Sequence, residues 1–591
     1  MQELHTFYQE KIAAHGSALA RAKKQLYASS MLRLLVFLGA VAAAYGLWGQ
    51  TRWLVAVLFL AAAVFLFLVR RHVNLQYKKE KIKALLAMNK REVAVLHRRY
   101  ANLPSGGEHA EDGHHFSGDI DLFGEGSFYQ YMNRTALPAG SAALAQWITA
   151  NAIDGIPAKQ AAVRELSQMP DWRQDYLAVA GLAKVETSTE SIVTWLGDYT
   201  PFLPRAMRYV PLVFSVASVG VLTAYFMEIL SEAHLIYWVL FGLLLFGLFA
   251  KRMMRLGAVT SKIVDTFKQY NQLVTILEDT PFKSAVLSRE RGRLLRNGEK
   301  TSVLLGRFSK LLDSLDDNHN IVYLIVANGL FLRSISTIGK LEDWIKEHGG
   351  EVAAWFQAIA FFDAYISLGN FAFNHPGFTY PKITNNGQIR ARAAAHPLLD
   401  PKKRVANDYA IGQGEFFIVT GANMAGKSTF LRTVSLQIIM ANMGLPVCAR
   451  SMEYTPIKLI TSMRTTDSLT DDASYFFSEL KRLQFVVNEI AQDRYFIVLD
   501  EILKGTNSVD KAKGSRQFLE RLAASKSTGI IATHDLTLCE VAKERPQVKN
   551  YYFDAEIVDG ELHFDYTFKE GICKNMNASF LLKKMGIVLP E

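Results

Sequence analysis

The sequence predicts an α/β domain at its C-terminal end, a largely helical region before it, and two apolar helical hairpins set into that region. Three observations predict this. A glycine-rich loop, "TGANMAGKSTFLR" (420–432), lies between an apolar run and a helical pattern. Four apolar runs of near membrane-spanning length occur as two closely spaced pairs. Residues around 255–375 carry helical patterns, for example "IVDTFKQYNQLVTILE" and "LEDWIKEHGGEVAAWFQAIAFFDAYI".

The apolar runs are 31–48, 53–69, 209–230 and 235–250, and only "GQTR" and "SEAH" separate the members of each pair. About 20 apolar residues cross a hydrocarbon core of about 30 Å, so each pair reads as a transmembrane helical hairpin. Lys23, Lys24 and Arg33 lie at the start of the first pair; Arg70, Arg71, Lys78, Lys79, Lys81 and Lys83 follow it. Arg205 and Arg208 precede the second pair, and Lys251, Arg252 and Arg255 follow it. The two short loops hold just one Arg or Lys, Arg52. By the positive-inside rule both hairpins enter and leave on the cytoplasmic side. The expected protein is multi-pass in the cytoplasmic (inner) membrane, with both termini and the C-terminal α/β region cytoplasmic and the lipid bilayer as a partner. A cleaved signal peptide is not expected, because the first run starts late and a second follows at once. The net charge of +10 is then largely a topology signal. The three cysteines, Cys448, Cys539 and Cys573, form no C-x-x-C pair, so neither a zinc site nor a disulfide framework is indicated.

The loop Gly421-Ala422-Asn423-Met424-Ala425-Gly426-Lys427-Ser428 satisfies G-x-x-x-x-G-K-[ST], with Thr429 following. The apolar run 415–421 before it reads as a buried strand, and 428–444 reads as a helix ending near Gly444. That is the setting of a phosphate-binding loop. Its glycines let backbone N–H groups approach phosphates, and the helix N-terminus favours negative charge. Lys427 is the expected ligand of the β and γ phosphates, and Ser428 of Mg²⁺. "RYFIVLDE" (494–501) is a second buried strand with two carboxylates at its tip. Asp500 is placed to hold Mg²⁺, and Glu501 to orient or deprotonate the attacking water. A third strand, 527–535, ends at His534, where a γ-phosphate sensor is expected. Lys427, Glu501 and His534 are the catalytic candidates, and ATP with Mg²⁺ the expected ligands.

Together "TGANMAGKSTFLR", "SYFFSEL" (474–480), "VLDEILKGTNSVD" (498–510) and "IATHD" (531–535) resemble the MutS family of mismatch-repair ATPases, within the wider ABC group. The segments 121–148, 156–166, 394–399 and 405–421 resemble that family's core and its approach to the ATPase. The likeness covers roughly 115–205 and 255–591, with a hairpin inserted. It implies an ABC-type P-loop ATPase domain and an all-α MutS-like core and lever region. The implied layout is an N-terminal helix with the first hairpin (1–72), a core part (73–207), the second hairpin (208–252), a helical core and lever (253–385) and the ATPase (386–591). It also implies a homodimer through the ATPase domains with nucleotides between subunits. Ser474 matches the serine that reaches the partner's nucleotide, and Asn507, Ser508 and Asp510 fall in the interface segment. Asn407 and Asp408 match a stretch near the adenine. DNA is the implied macromolecular partner.

The sequence departs from the family at Ala422 (usually proline), at Leu503 and Lys504 (usually Gly-Arg), and at Met576 and Ala578, while Gly571 and Gly586 are kept. No mismatch-reading domain is found. Phe7 and Glu10 lack the F-x-E spacing of a mispair wedge, and the N-terminal stretch reads as an amphipathic helix. Mismatch recognition is therefore not expected; non-specific or structure-dependent DNA binding is. The alternative is an ABC-type transporter-like membrane ATPase. Against it, no L-S-G-G-Q signature precedes Asp500, and the hairpins carry few polar residues for a solute path.

Overall fold

The computed structural model describes residues 2–182, 187–295, 299–316, 321–464, 475–504, 506–558, 561–574 and 587. Helices Gln2–Gly46 and Thr51–Leu96 pack along each other as the first hairpin, turned at Gly49 (φ 95°). Each spans roughly 68 Å at 1.5 Å per residue, more than twice a hydrocarbon core. Their outer ends carry the apolar runs and leave them bare, as at Leu35, Phe59 and Phe67; their inner ends bury Tyr8 and Glu92.

The second hairpin pairs Val210–Phe226 with the first half of Glu232–Asp279. The third apolar run was expected to continue to 230, but its helix stops at Phe226 and Glu228 sits at φ 62° in the turn. Trp238 Nε1 donates to Ser218 Oγ at 2.7 Å, and the Phe214 and Trp238 rings stack at 4.8 Å, which closes the pair. Glu232–Asp279 then continues unbroken into the helical core, where Ile263, Phe267, Tyr270 and Leu273 are buried.

By length and composition, four helical stretches among the described residues could cross a membrane. In Arg333–Asn374 78% of the most apolar window is buried, against 6–11% in Gln2–Gly46, Arg52–Leu96 and Glu232–Asp279. The former is therefore a core element. It is also interrupted: Gly349-Gly350 divides Arg333–His348 from Val352–Asn374, where the sequence pattern suggested one helix. Val352–Asn374 is the axis of the core and packs on Pro138–Thr149, Ile156–Ser167 and Pro170–Ala180. Those three helices have proline in the first turn, where its missing N–H removes a donor that would lack a partner.

The α/β domain is built on a six-stranded sheet: β1 Phe416–Gly421, β2 Lys458–Ser462, β3 Tyr495–Asp500, β4 Thr528–Ala532, β5 Val548–Phe553 and β6 Lys569–Glu570, in spatial order β6-β5-β1-β4-β3-β2. All neighbours are parallel except β5 and β6. Alternation splits each central strand between two cores. Phe417, Val419, Phe496, Val498 and Ile530 join a core continuous with the helical region, while Phe416, Ile418, Ile497, Leu499 and Ile531 form a second core on the other face. This explains why the strands read as unbroken apolar runs. Helix Lys427–Asn442 lies on the first face and ends before Gly444 (φ 77°), where a side chain would meet Lys159 and Gln160 of the helical core.

Candidate functional site

β1, β3 and β4 end side by side, and their C-terminal tips carry the glycine loop, the two carboxylates and the histidine. Ligands bind at this edge of an open parallel sheet, where helix N-termini and strand ends converge. Gly421 (φ 147°) must lie against β5, since a Cβ there would stand 2.5 Å from Phe553 O. Gly426 (φ 109°) caps helix Lys427–Asn442. Met424 takes φ 67°, an uncommon value for a side-chain-bearing residue, and is 76% exposed.

Lys427 is buried, and its Nζ donates to the carbonyls of Gly421 (2.6 Å) and Ala422 (3.0 Å), bending over its own loop. Burial lowers its pKa, opposed by Asp500 and Glu501. Ser428 Oγ donates to Asp500 Oδ2 at 2.7 Å. His534 Nε2 stands 2.9 Å from Glu501 Oε1 and 3.2 Å from Lys427 Nζ. One nitrogen cannot donate to the first and accept from the second in the same tautomer. The shorter contact decides: Nε2–H donates to Glu501, and Lys427 keeps its two carbonyls. That hydrogen bond holds the Glu501 carboxyl down at about 2, so Glu501 is a carboxylate at any ordinary pH. Lys504 Nζ is 3.8 Å from its other oxygen.

These groups open onto a cavity of about 680 Å³. Ala422, Asn423, Met424, Gly426, Lys427, Ser428, Thr429, Asp500, Glu501 and His534 line it, and so does Asn407. Gly421 and Ala425 shape the loop from behind. Asn407 also holds a distant segment: its Nδ2 donates to Tyr566 O and its Oδ1 accepts from Phe568 N–H. Asp408 faces elsewhere and accepts from Ala393 N–H at 2.7 Å. Asn507 caps helix Ser508–Ala523 by accepting from Asp510 N–H, and Asn507, Ser508 and Asp510 are exposed outside the cavity. Ser474, Met576, Ala578 and Gly586 lie outside the described residues.

Sequence reasoning missed His396, Arg404, Val405 and Tyr566 on the cavity wall. The Tyr566 ring covers the glycine loop, 3.2 Å from where a Gly426 Cβ would stand. His396 is pushed down to about 4 by burial, Arg432 and Arg98, so it is neutral. No local motif announces these residues, because loops distant in sequence deliver them.

The donor set fits a Mg²⁺–nucleoside triphosphate. The loop offers backbone N–H groups beside a lysine for phosphates, and Ser428 with Asp500 supplies two hard oxygens for a hard cation. Among the described residues no cluster of three His, Cys, Asp or Glu residues could hold a metal without such a ligand.

Residues 417–585 match the family described as MutS domain V. The chain is 29% identical to the DNA mismatch repair protein MSH4 of Arabidopsis thaliana over 267 residues, 44% of this chain and 34% of that protein. It is 31% identical to the DNA mismatch repair protein MutS of Persephonella marina over 264 residues, 44% of this chain and 29% of that one. It is 33% identical to a DNA mismatch repair protein MutS of Thermus thermophilus over 208 residues, 35% of this chain and 24% of that one. The similarity thus spans about a third or less of each relative's length. With the expected motifs gathered at the tips of one parallel sheet, residues 417–585 carry MutS domain V, and over that part the chain is similar to MutS-type mismatch repair proteins.

Proposed function

We propose that this protein is a membrane-anchored MutS-type ATPase, which hydrolyses Mg²⁺–ATP as a homodimer and uses the cycle to move its helical arms. The observation that carries the reading is the pairing of Ser428 with Asp500 at 2.7 Å, beside an ionised Glu501, at the mouth of the cavity under the glycine loop. Lys427 would exchange its two carbonyl contacts for the β and γ phosphates. A magnesium ion held by Ser428 and Asp500 would neutralise charge on the transferred phosphoryl group. Glu501 would align the attacking water and take its proton. His534 would hold that carboxylate in place. Asn507, Ser508 and Asp510, on an exposed helix end, are assigned to the subunit interface together with Ser474.

The membrane assignment is supported by the bare apolar ends of both hairpins and by the basic residues that flank them. Both termini and residues 73–207 are assigned to the cytoplasm. DNA is assigned as a partner on the names of the relatives. Without a stacking wedge, binding would rest on phosphate contacts, which position a protein without reading bases.

The test is ATP hydrolysis by detergent-purified protein, alone and with matched, single-mismatch and branched duplexes over a salt titration. Magnesium-dependent hydrolysis is expected. DNA binding should weaken steeply with salt and differ less than about tenfold, or about 1.4 kcal/mol, between matched and mismatched duplexes. Absent hydrolysis would overturn the ATPase assignment, and a larger mismatch preference the claim that no base-reading element exists. Labelling from outside the cell should reach cysteines placed at Gly49 or Ala233 and miss one at Gly106; the reverse would overturn the topology.

A further inference from the structure

A third apolar helix lies against the second hairpin. Residues 321–331, "IVYLIVANGLF", form a helix that packs on Val210–Phe226 and on the upper part of Glu232–Asp279. The contact is backbone to backbone. A Cβ added to Gly242 would stand 2.3 Å from Gly329 O, and one added to Gly329 would stand 2.7 Å from Val239 Cγ1. Ser215 Oγ adds a hydrogen bond to Phe331 O at 3.3 Å. Such glycine-mediated approach is how helices associate where lipid removes the hydrophobic drive.

The register fixes the depth. Gly242 stands eight residues before Ala250, where the apolar run ends, or about 12 Å along the helix. Gly242 is thus at the middle of the run; helix Thr301–Asp316 climbs the same long helix from Glu278, bonded by Ser302, to Lys268, paired with Asp313, so helix 321–331 reaches Gly242 from the side that adjoins Lys251 and Arg252. Asn328 is its buried polar side chain and accepts from Ser334 N–H at 2.9 Å. Ile325 and Val326 are 41% and 49% exposed, on a helix packed against a hairpin whose own apolar residues, such as Leu240 and Leu244, are bare. Eleven residues, nine of them hydrophobic, cannot span a bilayer, but they suit a segment that enters and leaves on one side. Leu332, at φ 49°, turns the chain, and exposed Arg333 follows.

We propose that residues 321–331 are a re-entrant helix seated in the cytoplasmic leaflet, with the Ile325–Val326 face on lipid acyl chains. The proposal rests on the membrane reading of the hairpins. Its consequence is that the helical arm is not free at its far end. Helix Thr301–Asp316 packs along Glu232–Asp279 towards the core, and the next helix is held by the bilayer. A movement of the arm driven by the ATPase would be transmitted to a membrane-held point.

The experiment uses the full chain, with its three buried cysteines replaced, in nanodiscs of phosphatidylcholine and phosphatidylglycerol. Nitroxides are attached at Ile325→Cys, Val326→Cys, Leu244→Cys in the hairpin and Val303→Cys on the arm. Collision rates with oxygen and with a neutral nickel chelate are measured. We expect the oxygen-to-nickel ratio at 325, 326 and 244 to exceed that at 303 several-fold. Gly242→Val should displace the helix and lower the ratio at 325 while leaving 244 unchanged. A lipid signature at 244 with water-like values at 325 and 326 overturns the re-entrant helix and leaves the hairpins in the membrane. Water-like values at 244 as well overturn the membrane reading itself. Labels at 325 and 326 shielded from both reagents mean that protein, such as a second copy, covers this face, and that also overturns the proposal.

Discussion

Two regions of this molecule concentrate charge, and they do it in opposite ways. Around Glu92 the charge is sealed. Its carboxylate accepts from Arg134 Nε at 2.5 Å and from Asn374 and Asn370, while Tyr8 donates to Asn374 and Arg173 to Asn370. Burial alone would raise the Glu92 pKa, but Arg134 and Arg91 outweigh it and the net shift is downward. This cluster joins both helices of the first hairpin to the axis of the core. At the cavity under the glycine loop Ser428 pairs with Asp500, Glu501 with His534 and Lys427 with the carbonyls of its own loop, yet these groups border open space, and Ser428 and Thr429 are exposed. A charge answered from all sides is a joint. A charge answered on one side and open on the other is available to a ligand.

The largest effect expected from breaking this comparison is on the open side. Glu501→Gln keeps an oxygen for His534 and leaves Asp500 and Ser428 intact, but it removes the charge that accepts a proton from water. Turnover should fall by about 10²- to 10⁴-fold, with nucleotide affinity and thermal stability unchanged. Lys427→Ala should weaken nucleotide binding as well. Steady-state hydrolysis and binding of a fluorescent ATP analogue separate the two. Hydrolysis at the wild-type rate by Glu501→Gln would remove Glu501 from the mechanism.

On the sealed side the sign is reversed. Glu92→Ala leaves Arg134 buried without its carboxylate, and breaking a buried pair in this way costs roughly 3–5 kcal/mol. Denaturant unfolding in detergent should show that loss, while the folded fraction hydrolyses ATP at the normal rate per site. A variant of unchanged stability would mean that the cluster is not a joint.

The contrast also shows what the sequence could disclose. The glycine loop, Asp500-Glu501 and His534 were legible because each lies at the end of a strand with a local pattern. The two hairpins were legible as pairs of long apolar runs. The Glu92 cluster was not, since Tyr8, Glu92, Arg134, Arg173 and Asn374 come from five separate segments and a charged residue on a helix ordinarily faces solvent. Helix 321–331 was read only as part of the arms, because a mostly apolar run of eleven residues does not distinguish a core helix from a membrane segment. Asn407 lines the cavity, and its tie to Tyr566 and Phe568 was not legible because it depends on the way the last strands return beside β1.

Asp363 sharpens the comparison, because it is buried with hydrogen bonds but without a cation. Among the described residues its carboxyl oxygens accept only from the backbone N–H groups of Ala136 and Leu137, at the start of helix Pro138–Thr149. Burial raises its pKa to about 7, and those two N–H groups lower it only in part. The folded protein therefore retains a proton that the unfolded chain releases near pH 4. The stability contributed by this group is complete below about pH 4, declines as the pH rises and is lost above about pH 7. Between pH 5 and 7 one such proton accounts for at most about 3 kcal/mol. Asp363→Asn keeps an oxygen for the backbone and cannot ionise, so its stability should vary less with pH over that interval and match or exceed the wild type at pH 8. Denaturant midpoints for both proteins at pH 5, 6, 7 and 8 check this. Parallel pH profiles for the two proteins would show that Asp363 is already ionised in the fold, and that two backbone donors can hold a buried carboxylate without the arginine that Glu92 has.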